Sequence, residues 1–384
     1  MSIEERAESG VAVTRAAATG PVLVVEDLHV EYRLRKEKGR GKLVANAVDG
    51  IDLTVHAGET LAIVGESGSG KTSIANAVMR LVDATSGRIL FEGQDLVALH
   101  GKRLRAVRPR MQMIFQDPFE SLDPRRTVLD TVLEPLVINK IGGSPEERRS
   151  KALAALERAG LTPAEKIGAR YTYELSGGQR QRVAIAAAMI LEPALVVADE
   201  PVSMLDVSLR AGILRLMAEL RDRLGVAYLF ITHDLSLAWM FADRVAVVYL
   251  GRVVEEGHPI DLIGKPQHPY TQALVSVIPV PDTSIAPERT VLTGEIPNPT
   301  AIPEGCRFHP RCPLYRELGE PAECRDSDPV LHVVAGATPT TSGEPARVAC
   351  HHAGARSEGT RSPAEDSASA ESQPEHAEHE ETQS

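Results

Sequence analysis

The sequence predicts an α/β fold built around a largely parallel sheet, on three observations. Short β-rich runs, Thr60 to Val64, Leu195 to Ala198 and Ala227 to Ile231, alternate with longer stretches whose apolar residues recur at helical spacing. A glycine-rich phosphate-loop pattern lies where one such strand gives way to a helix. The composition, 43% hydrophobic and 25% charged, is that of an ordinary folded domain.

Taken along the chain, residues 1 to 21 read as a flexible lead-in and residues 22 to 278 as the main domain. Helices are expected over Lys71 to Leu81, Glu146 to Ala159, Gly178 to Leu191 and Val207 to Leu224, the last stopped by Gly225. Prolines at 279, 281, 287, 297, 299, 303, 310 and 313 change the texture, so a boundary is placed near residue 279. Residues 279 to 352 form an extension holding all four cysteines, and residues 353 to 384 read as a disordered acidic tail. No apolar run approaches the roughly 18 to 20 residues that cross a bilayer, and the N-terminus lacks the pattern of a signal peptide. The chain is therefore expected to stay in the cytosol. Much of its net charge of −11 is local: from Arg356 to Glu381 eight acidic residues face two basic ones. The basic stretches Arg33 to Lys42 and Arg103 to Arg110 are read as solvated surface, and no nucleic-acid partner is expected.

The run Gly65-Glu66-Ser67-Gly68-Ser69-Gly70-Lys71-Thr72, followed by Ser73, fits G-x-x-x-x-G-K-[ST] directly after an apolar strand. Its glycines let backbone N–H groups turn toward phosphate oxygens, the helix start adds its positive end, Lys71 neutralises phosphate charge and Thr72 can ligate Mg²⁺. A second apolar run, Leu195-Val-Val-Ala, ends in the carboxylates Asp199 and Glu200, which strand alternation sends in different directions. Asp199 suits Mg²⁺, held through water, and Glu200 is left to polarise an attacking water. Together these elements point to a nucleoside triphosphate and its hydrolysis.

Leu175-Ser176-Gly177-Gly178-Gln179, just before an apolar helix, resembles the signature sequence of ABC ATPases and can form a second anion cradle at that helix start. The resemblance implies a P-loop ATPase domain with a mixed-sheet core and a helical signature subdomain, working as a pair in which each signature closes on its partner's ATP. Other motifs follow in the family's order. Gln116 resembles the Q-loop glutamine that senses Mg²⁺ or the lytic water, Ser203 to Asp206 the D-loop, and His233 the switch histidine that contacts the γ-phosphate. Tyr32 matches the aromatic that stacks on adenine, with packing in an edge sheet as the other reading. All catalytic elements are intact.

Residues 22 to 352 resemble more closely the subunits that energise oligopeptide, dipeptide and nickel importers. The phrases Ile114 to Arg125, Asp199 to Ser203 and His268-Pro-Tyr-Thr-Gln-Ala-Leu274 followed by Pro279-Val-Pro281 carry this. It implies two transmembrane permease subunits, a companion ATPase in a heterodimer, an external solute-binding protein and a place on the cytoplasmic face of the membrane. Peptides are the expected cargo, with oligosaccharide or nickel as alternatives. Soluble ABC proteins are the rival class; the repair type should carry a long coiled coil and the translation type two cassettes, and neither feature is present. Cys306, Cys312, Cys324 and Cys350 are expected to form one site. Four thiolates can hold a 4Fe-4S cluster, which some members of the group are understood to carry; zinc or no metal are the alternatives.

Overall fold

The computed structural model describes residues 20–34, 43–278, 290–334, 336–338, 340 and 343–354. Nearly all of the expected lead-in and acidic tail, most of the basic stretch after Arg33, and the Pro279-Val-Pro281 phrase lie outside the described residues.

The strands are β1 Pro21–Arg33, β2 Val44–His56, β3 Thr60–Val64, β4 Ser86–Phe91, β5 Gln94–Asp95, β6 Met111–Ile114, β7 Leu195–Asp199, β8 Ala227–Thr232, β9 Arg244–Tyr249, β10 Arg252–Gly257, β11 His332–Val333 and β12 Arg347–Val348. They form an eight-stranded sheet, β11-β12-β10-β9-β3-β8-β7-β6, and an antiparallel four-stranded sheet, β2-β1-β4-β5. In the larger sheet the block from β6 to β9 is parallel. Its other edge is antiparallel, because the tight turn at Leu250 and Gly251, both with positive φ, sends β10 straight back along β9. The sheet is thus mixed, and its parallel block is the part that the long apolar runs announce.

Period-two alternation explains how this sheet is packed on both faces. Ala62, Val64, Val196, Ala198, Phe230 and Val247 point into the core shared with the helical layer. Leu61, Ile63, Leu195, Val197, Leu229 and Val248 point into the core shared with the antiparallel sheet and the helix Lys71–Val78. Strands β3, β7 and β8 are buried throughout, so each reads as a continuous apolar run.

The helical layer includes Val128–Ile138, Pro145–Arg158 and Gly177–Met189. Ser144 starts the second, its Oγ accepting from Glu147 N–H at 3.1 Å with Pro145 at the first turn. The helix Val207–Leu224 ends at Gly225, whose φ of 68° is the left-handed stop expected there. The first helix ends at Val78, short of Leu81, where Arg80 turns to a φ of 53°.

The C-terminal extension packs directly on this core. β12 pairs with β10, and Phe308, fully buried, stacks edge-on with Tyr249 and tilts against Tyr270 at 5.4 Å.

Candidate active site: the nucleotide cleft

Parallel strands put their carboxyl ends on one edge of a sheet, which is where ligands of α/β folds are received. Here β3 runs into the phosphate loop, β6 leads to Gln116, β7 delivers Asp199 and Glu200, and β8 delivers His233. The cleft at this edge has a volume of about 900 Å³, and its walls include Tyr32, Ser67, Gly68, Gly70, Lys71, Thr72, Ser73, Gln116, Glu200 and His233.

The phosphate loop has a shape that requires glycine at two of its positions. A Cβ on Gly65 would lie 2.2 Å from Val248 O, and one on Gly70, whose φ is 106°, would lie 2.2 Å from Ala47 O. Lys71 is buried and its Nζ donates to Gly65 O and Glu66 O, both at 2.8 Å. Burial pushes its pKa down, opposed by the negative charges of Glu200, Asp199 and Glu66. Asp199 is also buried; desolvation raises its pKa while a hydrogen bond from Thr72 lowers it. Two atoms in this region are buried without a hydrogen-bond partner: Asp199 Oδ1 and Ser69 Oγ. Buried polar groups are normally satisfied, so such orphans next to a glycine cradle fit an incoming phosphate and its cation. Thr72, Asp199 and Lys71 are the residues that would hold Mg²⁺ and the phosphates.

Glu200 is the meeting point of the residues expected to be catalytic. Its carboxylate accepts from Gln116 Nε2 at 3.1 Å and lies 3.0 Å from His233 Nδ1. Its backbone adopts a φ of 46°, rare for a residue without glycine's freedom, and is held there by its N–H to Ile231 O at 2.9 Å and by Ser203 Oγ donating to its carbonyl at 3.0 Å. Such a bend at a strand end turns the side chain out of the β alternation and toward the cleft. Tyr32 reaches the same cleft with its hydroxyl 3.3 Å from Ser73 Oγ, while its ring packs on the smaller core.

The signature residues lie elsewhere. Ser176 caps the helix Gly177–Met189 in a reciprocal box: its Oγ accepts from Gln179 N–H at 3.3 Å and its own N–H donates to Gln179 Oε1 at 3.1 Å. Asp206 is exposed at the start of Val207–Leu224. None of Ser176, Gly177, Gly178, Gln179 or Asp206 is among the described residues lining the cleft.

A family model described as "ABC transporter" matches residues 48–203, and one described as "Oligopeptide/dipeptide transporter, C-terminal region" matches residues 254–317. A probable peptide ABC transporter ATP-binding protein of Sinorhizobium fredii is 46% identical over 333 residues, covering 86% of this chain and 89% of that protein. The chain belongs to the ATP-binding proteins of ABC transporters. The oligopeptide transport ATP-binding protein OppF of Escherichia coli is 41% identical over 315 residues, covering 81% of this chain and 92% of its own length. Among solved structures, the dimeric, ADP- and Pi-bound ATP-binding cassette MJ0796 shares 30% identity at a TM-score of 0.55, covering 62% of this chain and 98% of that one. As members of this family do, the chain binds ATP with Mg²⁺ and is an ATP hydrolase.

One expectation is corrected. Cys306, Cys312, Cys324 and Cys350 do line a common cavity, but its volume is only about 20 Å³, room for one water. Among the described residues no three His, Cys, Asp or Glu side chains are placed to hold a metal ion, so the iron–sulfur cluster is withdrawn. Burial explains the chemistry found instead: it pushes Cys306 up to about 12 and Cys312 and Cys350 up to about 11, away from the thiolate that metals require.

Residues that sequence reading does not assign also border the site, Ala45, Ala47 and Leu274 among them. Tyr270, which was used only as part of a family phrase, accepts a hydrogen bond from Glu66 N–H at 2.8 Å, and Ile296 and Pro299 line the cleft. The His268-Pro-Tyr270 phrase was the available signal: His268 caps the helix Pro269–Ser276, its Nδ1 accepting from Tyr270 N–H at 3.0 Å.

Proposed function

We propose that this protein energises the import of di- and oligopeptides as the ATP-hydrolysing subunit of an ABC transporter, bound to the cytoplasmic face of the membrane by two permease subunits. A companion ATPase and an external solute-binding protein complete the assembly. The observation that carries the ATPase half is the convergence of Gln116 and His233 on Glu200 at the mouth of the phosphate-loop cleft. The peptide half rests on the match of residues 254–317 and on relatives named for peptide transport.

In this reading the N–H groups from Gly65 to Thr72, with Ser67, Ser69 and Ser73, receive the triphosphate, Lys71 balances its charge, and Tyr32 stacks on the base. Thr72, Asp199 and Gln116 are the residues that would hold Mg²⁺, which would supply positive charge to the phosphates. Glu200 takes the proton of the attacking water, which Gln116 orients, and His233 steadies both the carboxylate and the γ-phosphate. Ser176, Gly177, Gly178 and Gln179 serve the partner's nucleotide, since they stand apart from this chain's own cleft. Asp206 and the exposed Met204 and Val207 belong to the surface on which the two ATPases meet. The exposed apolar residues Phe115, Phe119, Val137 and Ile138, close in sequence to Gln116 or in the helical layer, suit the permease contact through which hydrolysis moves the pore. Residues 22–278 act as the ATPase domain and 279–352 as its extension.

Affinity purification from the native membrane, paired with uptake of labelled peptides, tests this. Two multispanning proteins and a second ATPase should copurify, and Glu200→Gln should abolish peptide uptake. Loss of oligosaccharide or nickel uptake with peptide uptake intact would refute the cargo. A chain recovered without membrane partners would refute the transport role.

A further inference from the structure

The second residue of the phosphate loop is a carboxylate. Glu66 lines the cleft that must accept a highly charged triphosphate, and its side chain is about a quarter exposed. Left alone, a negative charge at that point would repel the ligand it adjoins. It is not left alone. Arg311, 245 residues later and in the extension, meets the carboxylate with both arms of its guanidinium, Nη1 to Oε2 at 2.7 Å and Nη2 to Oε1 at 3.2 Å.

This fork is built with care on the extension's side. Arg311 is 7% exposed, closes the short turn His309–Arg311, and lies 5.9 Å over the ring of Tyr249, whose hydroxyl its Nη1 also approaches at 3.5 Å. The turn is anchored by Phe308 in the core and by Cys306 and Cys312 on either side of it. On the loop's side, Glu66 is fixed at both backbone atoms: its N–H donates to Tyr270 Oη and its carbonyl receives Lys71 Nζ. A bidentate pair of this burial holds a charge still and neutral toward its surroundings.

We propose that Arg311 is a positioning residue for nucleotide binding: it neutralises Glu66 and holds its carboxylate away from the phosphate site, so that ATP affinity depends on the C-terminal extension. The inference rests on the reading of this cleft as the ATP site. Two further contacts tie the extension to the cleft: Pro299 O accepts from Asn46 N–H at 3.1 Å, and Ile296 and Pro299 form part of the cleft wall.

The test is calorimetric titration of the full chain with MgATP. Arg311→Met should weaken binding about tenfold, with a defect that shrinks as salt is raised. Arg311→Lys should recover most of the affinity. Adding Glu66→Gln to Arg311→Met should restore binding to within about threefold of the native protein, because the repelling charge is gone. Glu66→Gln alone, which leaves Arg311 in place, should bind at least as well as the native chain, and this variant stands even where Arg311→Met does not fold. A tenfold loss in Glu66→Gln, or a double variant as weak as Arg311→Met, would overturn the proposal and leave Arg311 a packing residue. Lys71→Ala in the same series separates the two readings: if it binds MgATP like the native chain, the site assignment itself fails, whereas a wild-type Arg311→Met beside a defective Lys71→Ala sinks this inference only.

Discussion

Two buried clusters of ionisable groups share Tyr270, which bonds Glu66 through its hydroxyl and His268 through its N–H, and they differ in the charges that accompany burial. In the nucleotide cleft, desolvation lowers the pKa of Lys71 and raises that of Asp199. It is opposed in part by the negative charges of Glu200, Asp199 and Glu66 around Lys71 and, at Asp199, which Glu200 also raises, by the Thr72 hydrogen bond and Lys71. Burial there is opposed in part by neighbouring charges, and the groups can meet a charged ligand. In the cysteine cavity burial has no such answer. His268 is driven down to about 3 and Cys306 up to about 12, so its groups stand neutral. The difference teaches that a cluster of metal-ligand residue types is not a metal site. The cleft is arranged for charge, the cavity for packing.

Thiol chemistry should expose this contrast most strongly. The rise of Cys306 from 9.0 to about 12 cuts its thiolate by about a thousandfold near neutral pH, so iodoacetamide should label it at least that much more slowly in the native chain than in the unfolded one. Labelling at the unfolded rate would erase the distinction between the clusters. In the cleft, Lys71→Ala removes a buried cation beside Asp199 and should weaken MgATP binding by about a hundredfold, read by titration. A change below threefold would mean that the charges there are not arranged for phosphate.

A smaller effect comes from pH. The folded protein holds His268 neutral down to about 3, whereas the unfolded chain protonates it near 6.5. Its contribution to stability is therefore complete above pH 6.5 and declines as pH falls toward 3, by about 1.4 kcal/mol per unit. Denaturant titrations from pH 7 to 5 should show this slope reduced in His268→Asn, which keeps a helix-capping side chain. An unchanged slope would mean that His268 titrates normally.

What the sequence made legible follows from range. The phosphate loop is a local device: the glycines that its close backbone needs, Gly65 and Gly70, the cation Lys71 and the hydroxyl of Thr72 fall within eight positions. The strands β3, β7 and β8 are buried on both faces and show as unbroken apolar runs, and Gly225 marked its helix end. The extension gave no comparable pattern. Its contacts join residues such as Arg311 and Glu66, or Arg307 and Asp49, more than two hundred positions apart, and its strands β11 and β12 have two residues each. Only partners already folded in place give those residues meaning. The four cysteines suggest a ligand set because all of them fall in the extension and some members of the resembled group carry clusters, while the size and burial of their cavity are not visible in the sequence.

The most direct test pairs two numbers for one variant, the MgATP dissociation constant and the ATP turnover of Glu200→Gln against the native chain. With Glu200 as the group that takes the water's proton, turnover should fall about a thousandfold while affinity stays within about threefold. Turnover near the native rate, with ATP still bound, would contradict the central role given to the carboxylate on which Gln116 and His233 converge.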